Sequence, residues 1–461
     1  MISLCWMVGA CPRLAEASTV QRLSESLHRE LAELTLTLPR PTIDVALCVT
    51  PPASADAAAG ADRLAARLEA LVATALGRNG FRSVVRLGGA HACADPPEEA
   101  ARVAEGRGAE LLVHVASMVQ HGRLHLEGTI VRTDRSLWRD LVGGRGGAMV
   151  GQIFASARLD AELRFYLAQP HPPLAPRTQS VLFESPGPVL GMVAGDIDGD
   201  DMDELVVLRR RAVDVLTLRQ PDRRARLVGT LPLDALEPAV TASRDPVGTI
   251  ALLSGADGGR RIALRVSDHS VGMVVSWDGE RFDGPEPLSD YPIDGAIGIL
   301  CGTVPRGRNT FEPRVVPCSP SPAPGPEVGA GPFWAVSYAN VLGPDGSSTR
   351  SVGLVLAEAR LIVTAAGVTR DLGPTGSAVW VGDLDDDGVL EVAHSAASPP
   401  GDPDRLTVTT LPASGPQDGW ASRTIAGGIG AIAAGDLDGD GAIELVFAEL
   451  TPGGSRIWIV D

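Results

Sequence analysis

Three stretches of this chain carry one pattern of carboxylates, and that pattern restricts the fold more than anything else in the sequence. They are Asp196-Ile-Asp198-Gly-Asp200-Asp-Met-Asp-Glu204, Asp383-Leu-Asp385-Asp-Asp387-Gly-Val-Leu-Glu391 and Asp436-Leu-Asp438-Gly-Asp440-Gly-Ala-Ile-Glu444. Acids stand at positions 1, 3, 5 and 9 of each, and an apolar, strand-like segment follows at once. Alternating aspartates in a tight loop converge on one point, and oxygen donors at that density suit calcium. A small or turn-forming residue near position 6 folds the loop back, so that position 7 offers a backbone carbonyl. The expected ligand sets are Asp196, Asp198, Asp200, Met202 and Glu204; Asp383, Asp385, Asp387, Val389 and Glu391; and Asp436, Asp438, Asp440, Ala442 and Glu444, with one Ca2+ in each.

An EF-hand would need a bidentate Glu at loop position 12 and a helix on either side. Position 12 holds Val207, His394 and Phe447, and the segments after the loops (Leu205-Val206-Val207-Leu208, Leu445-Val446-Phe447) are short and apolar with β-branched members. Those are strands. Val-Ala-Gly, Val-Gly and Ala-Ala-Gly precede position 1, again strand-like with a glycine turn. The unit is strand, acidic loop, strand. On these residues the chain resembles the FG-GAP (VCBS-like) repeats of integrin-type β-propellers, in which such loops join the first two strands of a blade. The resemblance implies ions that brace a hairpin, not a switch.

Spacing extends the repeat. Loop starts 383 and 436 lie 53 residues apart, and 196 to 383 is 187, close to four units of about 47. Decayed copies are expected near 243, 290 and 336, in Ala239–Leu253, Gly295–Thr303 and Trp334–Leu356. The expectation for 179–461 is an all-β propeller of six four-stranded blades, or seven if the Pro-rich Pro317–Pro332 conceals one. Gln179–Phe183 is expected to supply the outer strand of the last blade and close the ring.

The first 167 residues read differently. Leu23, Leu27, Leu31 and Leu34 have helical spacing behind a Ser18/Gln21 capping box, and Leu64, Leu68, Leu71, Val72 and Leu76 form a second amphipathic helix over 61–76. Strands are expected at 42–49, 83–87, 110–118 and 124–133, a short helix opening at Pro96, and a closing helix over 151–167. Alternating strands and helices predict an α/β domain over 12–167. That order, with an Asn79-Gly80-Phe81 turn and Gly108-Ala-Glu-Leu-Leu-Val113, resembles the α/β domain of some bacterial envelope lipoproteins, the Tol-associated and curli-secretion families. Four prolines within 168–178 mark a stiff linker between the two parts.

Met1–Cys11 is apolar, and Val8-Gly9-Ala10-Cys11 resembles a bacterial lipoprotein processing site, which implies a membrane anchor at Cys11. The run lacks a basic leading region and is shorter than a normal signal. Cys48/Cys93 and Cys301/Cys318 could each close a loop as disulfides or stand as buried thiols. The formal charge is −17; the three loops hold 6, 5 and 4 carboxylates, and without those 15 it is −2. The acidity is local to the loops, and no basic nucleic-acid footprint exists.

Catalytic chemistry is hard to assemble from what remains. His121 and His125 are too few for zinc, Gly143–Gly147 lacks the Lys-Ser/Thr of a P-loop, and His91 beside Cys93 makes no recognisable dyad. The expected function is therefore non-catalytic: a calcium-binding lipoprotein of the bacterial cell envelope, periplasmic or on the cell surface and anchored to the outer membrane. It would act in adhesion or as a scaffold, through a protein or glycan partner on the propeller face. A propeller-bearing hydrolase or lyase, or a calcium-dependent sensor, is the alternative.

Overall fold

The computed structural model describes residues 23, 26–32, 44–50, 58–87, 93, 97–120, 123–133, 149–158 and 163 of the first part. Of the second it describes 178–200, 202–218, 224–240, 245–254, 260–294, 300–304, 309–313, 315–317, 331–342, 348–385, 388–398, 402–412, 414–440 and 442–460. The expected signal with Cys11, the capping box, the linker over 168–177, Cys318 and Asp387 lie outside the described residues.

The first part is built on one mixed sheet. Its strands are β1 (Asp44–Thr50), β2 (Ser83–Arg86), β3 (Leu111–Gln120), β4 (Arg123–Arg132) and β5 (Met149–Arg158), in the order β2-β1-β3-β4-β5. β1 is parallel to β2 and β3, whereas β3, β4 and β5 form an antiparallel meander. Helix α1 (Ala58–Arg78) connects β1 to β2, and α2 (Pro97–Gly106) connects β2 to β3. The period of two in β1 sends Val45, Leu47 and Val49 to one face, where Leu64, Leu68, Val72 and Leu76 of α1 meet them. Ala46 and Cys48 point the other way, into a smaller cluster with Ala100, Ala101 and Ala104 of α2. A disulfide between Cys48 and Cys93, 45 residues apart, ties β1 to the approach to α2. Cys301 is also disulfide-bonded, its partner lying outside the described residues.

One expectation fails here. Residues 149–158 are a strand, not the start of a closing helix, and pair with β4 from Arg123 to Val131. Ile153, Ala155 and Ala157 are buried while Phe154 between them is 56% exposed, a period of two that the small residues disguise in the sequence.

The second part is all β. After β6 (Gln179–Ser185), the first sheet takes β7 (Val189–Gly195), β8 (Glu204–Arg209), β9 (Ala212–Thr217) and β10 (Arg226–Pro232). The second takes β11 (Gly248–Ser254), β12 (Arg260–Val266), β13 (Gly272–Trp277) and β14 (Phe282–Leu288). The third has β15 (Tyr291–Asp294), β16 (Leu300–Gly302) and β17 (Val315–Pro317). The fourth runs through β18 (Phe333–Leu342), β19 (Ser348–Leu356), β20 (Arg360–Ala365) and β21 (Val368–Pro374). The fifth holds β22 (Val379–Gly382), β23 (Leu390–Ser395), β24 (Leu406–Leu411) and β25 (Gln417–Ala421). The sixth holds β26 (Ile429–Gly435), β27 (Glu444–Thr451) and β28 (Gly454–Val460), with β6 as its outermost strand.

The first strands neighbour one another around a ring, from β7 through β11, β15, β18, β22 and β26 back to β7. This is a β-propeller with five four-stranded blades. The expectation of six or seven four-stranded blades is corrected: among the described residues the sheet of β15–β17 has three short strands. Pro292 and Pro317 sit within those strands. Without an N–H, these residues cannot donate to a ladder. β6 closes the last sheet, pairing Gln179 with Val460 through to Ser185 with Ser455.

Packing explains why the middle strands are apolar on both sides. Leu205 and Val207 of β8 enter the cluster shared with the sixth sheet, whereas Val206 and Leu208 enter the one shared with the second. β27 does the same, with Val446 and Ala448 on one side and Leu445 and Phe447 on the other. Each sheet is sandwiched between its neighbours, so an unbroken Leu-Val-Val-Leu run is what such a strand requires.

Candidate metal centres

Each acidic loop leaves the end of an inner strand and returns at the start of the next. The register pairs Gly195 with Glu204, Gly382 with Glu391 and Gly435 with Glu444, so the last ligand of each loop sits opposite the glycine that precedes the first. The second strands lie between blades, and the three glutamates are buried with them. In every loop the Glu accepts the N–H of position 2: Ile197 N donates to Glu204 (3.1 Å), Leu384 N to Glu391 (2.8 Å) and Leu437 N to Glu444 (2.8 Å).

Three groups of carboxylates result. One oxygen each of Asp196, Asp198 and Glu204 lie within 4.8 Å of one another, as do those of Asp383, Asp385 and Glu391 and those of Asp436, Asp438 and Glu444. Among the described residues, the position-5 acids Asp200 and Asp440 are not in these groups. Asp200 accepts the N–H of Met202 (3.0 Å) and Asp440 that of Ala442 (2.8 Å), which turns the loop at position 7. Val389, the third position-7 residue, immediately precedes β23. The left-handed turn falls on Gly199 (φ 85) and Gly439 (φ 74) at position 4, and on Gly388 (φ 78) at position 6 of the middle loop. Glycine takes that conformation without the usual steric penalty.

The donors are all hard oxygens, with no nitrogen or sulfur, a set that suits calcium or magnesium and not zinc. Electrostatics point the same way. Burial, and then repulsion from Asp198, Asp200 and Asp196, pushes the Glu204 carboxyl up to about 8. Burial, with Asp438, Asp436 and Asp440, does the same for Glu444, also to about 8. A buried carboxylate crowded by like charges is what a cation in the group would relieve. The residues present therefore fit a divalent hard cation.

Two features escaped the sequence reading. In the second sheet Ser254 pairs with Arg260, so an arginine stands where the acidic blades have their Glu. Five residues separate that pair instead of eight. Arg260 reaches back to Gly195, where a Cβ would fall 2.4 Å from its Nη1, and it lines a cavity of about 260 Å³ between the inner strands, with Met192, Ile250, Tyr338, Trp380 and Ile432. Secondly, the loops of the first and sixth sheets touch. The N–H of Asp436 donates to Asp203 Oδ2 (2.8 Å), and the N–H of Asp203 donates to the carbonyl of Asp436 (3.1 Å). Only the loop at 196–204 has an acid at position 8, which is the one trace of this contact in the sequence.

No family model matches the chain, and no curated protein matches it. Among solved structures it is similar to the S. cerevisiae core factor, at 11% identity and a TM-score of 0.34 over 62% of this chain and 60% of that one. The chain thus spans about 60% of the length of that structure. It is also similar to BBS1N in crystals of its complex with ARL6DN, at 10% identity and a TM-score of 0.31 over 60% of this chain and 82% of that one with lead, and at 13% and 0.31 with mercury. Likeness at this level carries no functional argument.

Proposed function

We propose that this is a calcium-braced β-propeller of the FG-GAP (VCBS-like) kind, a non-catalytic binding or scaffolding protein of the bacterial cell envelope. The observation that carries the reading is the threefold recurrence of one geometry: an Asp-x-Asp pair and a buried Glu converging at the same strand junction in three blades. A catalytic centre would not need three equivalent copies at equivalent junctions; a brace for each hairpin would. Repulsion within each loop opposes folding until a cation enters, so binding and stability are linked. The Cys48–Cys93 disulfide supports placement in an oxidising compartment. Recognition would then fall to the loops of the propeller face, with a protein or glycan as partner.

The test is thermal unfolding of the whole chain in EGTA and in excess calcium. A ligand at 100 times its Kd stabilises by about 2.7 kcal/mol per site, so three sites should raise Tm by several degrees. Equal Tm values in the two buffers would overturn the calcium reading.

A further inference from the structure

We propose that the metal sites in the loops at 196–204 and 436–444 bind cooperatively, with Asp203 as the positioning residue that couples them; this rests on the calcium reading above. Asp203 is position 8 of its loop, directly between Met202 and the group member Glu204. It holds Asp436, the first member of the neighbouring group, at two points: its carboxylate accepts the Asp436 N–H at 2.8 Å, and its own N–H donates to the Asp436 carbonyl at 3.1 Å. One residue of the first loop thereby fixes the main chain of a ligand of the other.

Glycines keep the contact this close. A Cβ on Gly435 would lie 2.7 Å from Asp203 Oδ2 and 2.8 Å from the Ala194 Cβ, and one on Gly439 would lie 3.0 Å from the Met202 sulfur. The loops therefore meet at residues 203 and 435–436 and again at 202 and 439. An ion drawing Glu204 into its coordination shell orders residues 202–204, and with them the acceptor and donor that orient Asp436. The second ion then meets a loop whose first ligand is already set, and binds more tightly because less ordering remains to be done. Linkage makes the effect reciprocal.

The middle loop lacks this side-chain link. Position 8 is Leu390 in the loop at 383–391 and Ile443 in the loop at 436–444, and neither side chain can accept a hydrogen bond. The expectation is two coupled sites and one independent site.

Calcium titration of the full chain by calorimetry, with stoichiometry from equilibrium dialysis, tests this. The wild type should bind three ions, two of them with a cooperative factor of about tenfold, within the usual span for coupled sites. Asp203→Ala should still bind three ions, with cooperativity lost and the 436–444 site weakened about tenfold. Asp203→Asn keeps an oxygen acceptor and should retain most of the coupling. Three independent sites in the wild type, or undiminished cooperativity in Asp203→Ala, overturns the coupling and leaves the calcium reading standing. Absence of saturable binding overturns both. Should Asp203→Ala fail to fold, reciprocity decides. Glu204→Gln and Glu444→Gln must each weaken the other's site by the same factor while Glu391→Gln leaves both alone, and lack of that mutual effect refutes the proposal.

Discussion

Replacing Glu444 by Gln should change stability in opposite directions with and without calcium. In the metal-free protein, burial and the neighbouring aspartates raise the Glu444 carboxyl from 4.5 to about 8. A carboxyl whose pKa is higher in the folded state holds its proton more tightly there. Its contribution to stability is complete below 4.5 and is lost as pH rises through 8. Neutral pH lies about 2.5 pH units above 4.5, and at about 1.4 kcal/mol for each the loss is on the order of 3 kcal/mol. Glutamine has the shape of the protonated acid, keeps an oxygen for the Leu437 N–H, and cannot ionise. The metal-free variant should therefore be more stable than the wild type at pH 7, by about 1–3 kcal/mol once relaxation of the surrounding carboxylates is allowed for, and equal to it near pH 4.5. At calcium about 1,000 times the Kd the order reverses, because the wild type gains about 4.1 kcal/mol from that site and the variant does not. Urea unfolding at pH 5 and pH 7, in EGTA and in calcium, measures both signs. A metal-free variant less stable than the wild type at pH 7 would refute the charge argument. An equal calcium gain in both proteins would remove Glu444 from the site.

Two further outcomes follow from buried features elsewhere. Glu449 accepts the N–H groups of Ala426 and Gly427 (3.1 Å each) and the indole N–H of Trp458 (2.8 Å), so Glu449→Ala strands three donors and should cost about 3 kcal/mol or more in urea unfolding; a loss below about 1 kcal/mol would show that water replaces the carboxylate. Reducing Cys48–Cys93, which closes a loop of 45 residues, should destabilise the first part by about 4 kcal/mol, and maleimide labelling of Cys48 in intact cells would count against an oxidising compartment.

How much of this was legible depended on whether a signal was local. The acidic loops, the strands after them and the ring-closing segment at 179–183 could be read because each is specified within about a dozen residues. Even the decayed repeats fell close to their inner strands β11, β15 and β18, since spacing survives after ligands are lost. The three-stranded sheet could not be counted, because Pro292 and Pro317 remove ladder donors without removing the apolar pattern. The strand at 149–158 is disguised as the start of a helix over 151–167 because Gly, Ala and Ser satisfy either period and only the partner strand decides. Asp203 and Arg260 are hidden for another reason: each meets a residue of a different blade, Asp203 by hydrogen bonds to Asp436 and Arg260 by lying against Gly195, and no local spacing encodes that.

The closing strand sets an order of events. β6 is made before any blade, yet its partner β28 is the last strand of the propeller to emerge from synthesis, with Gln179 opposite Val460. The pairing of β6 with β28 that completes the sixth sheet must therefore form after nearly everything else in the ring, at the largest loop-closure distance the propeller contains. Beside it, Asp203 of the first sheet's loop reaches Asp436 of the sixth. Until that late step the bare backbone edge of β28 has no partner, and an open ring is a template for pairing with another chain. Whatever speeds the meeting of the two ends, a divalent ion in either loop included, also shortens the time during which the nascent protein can aggregate.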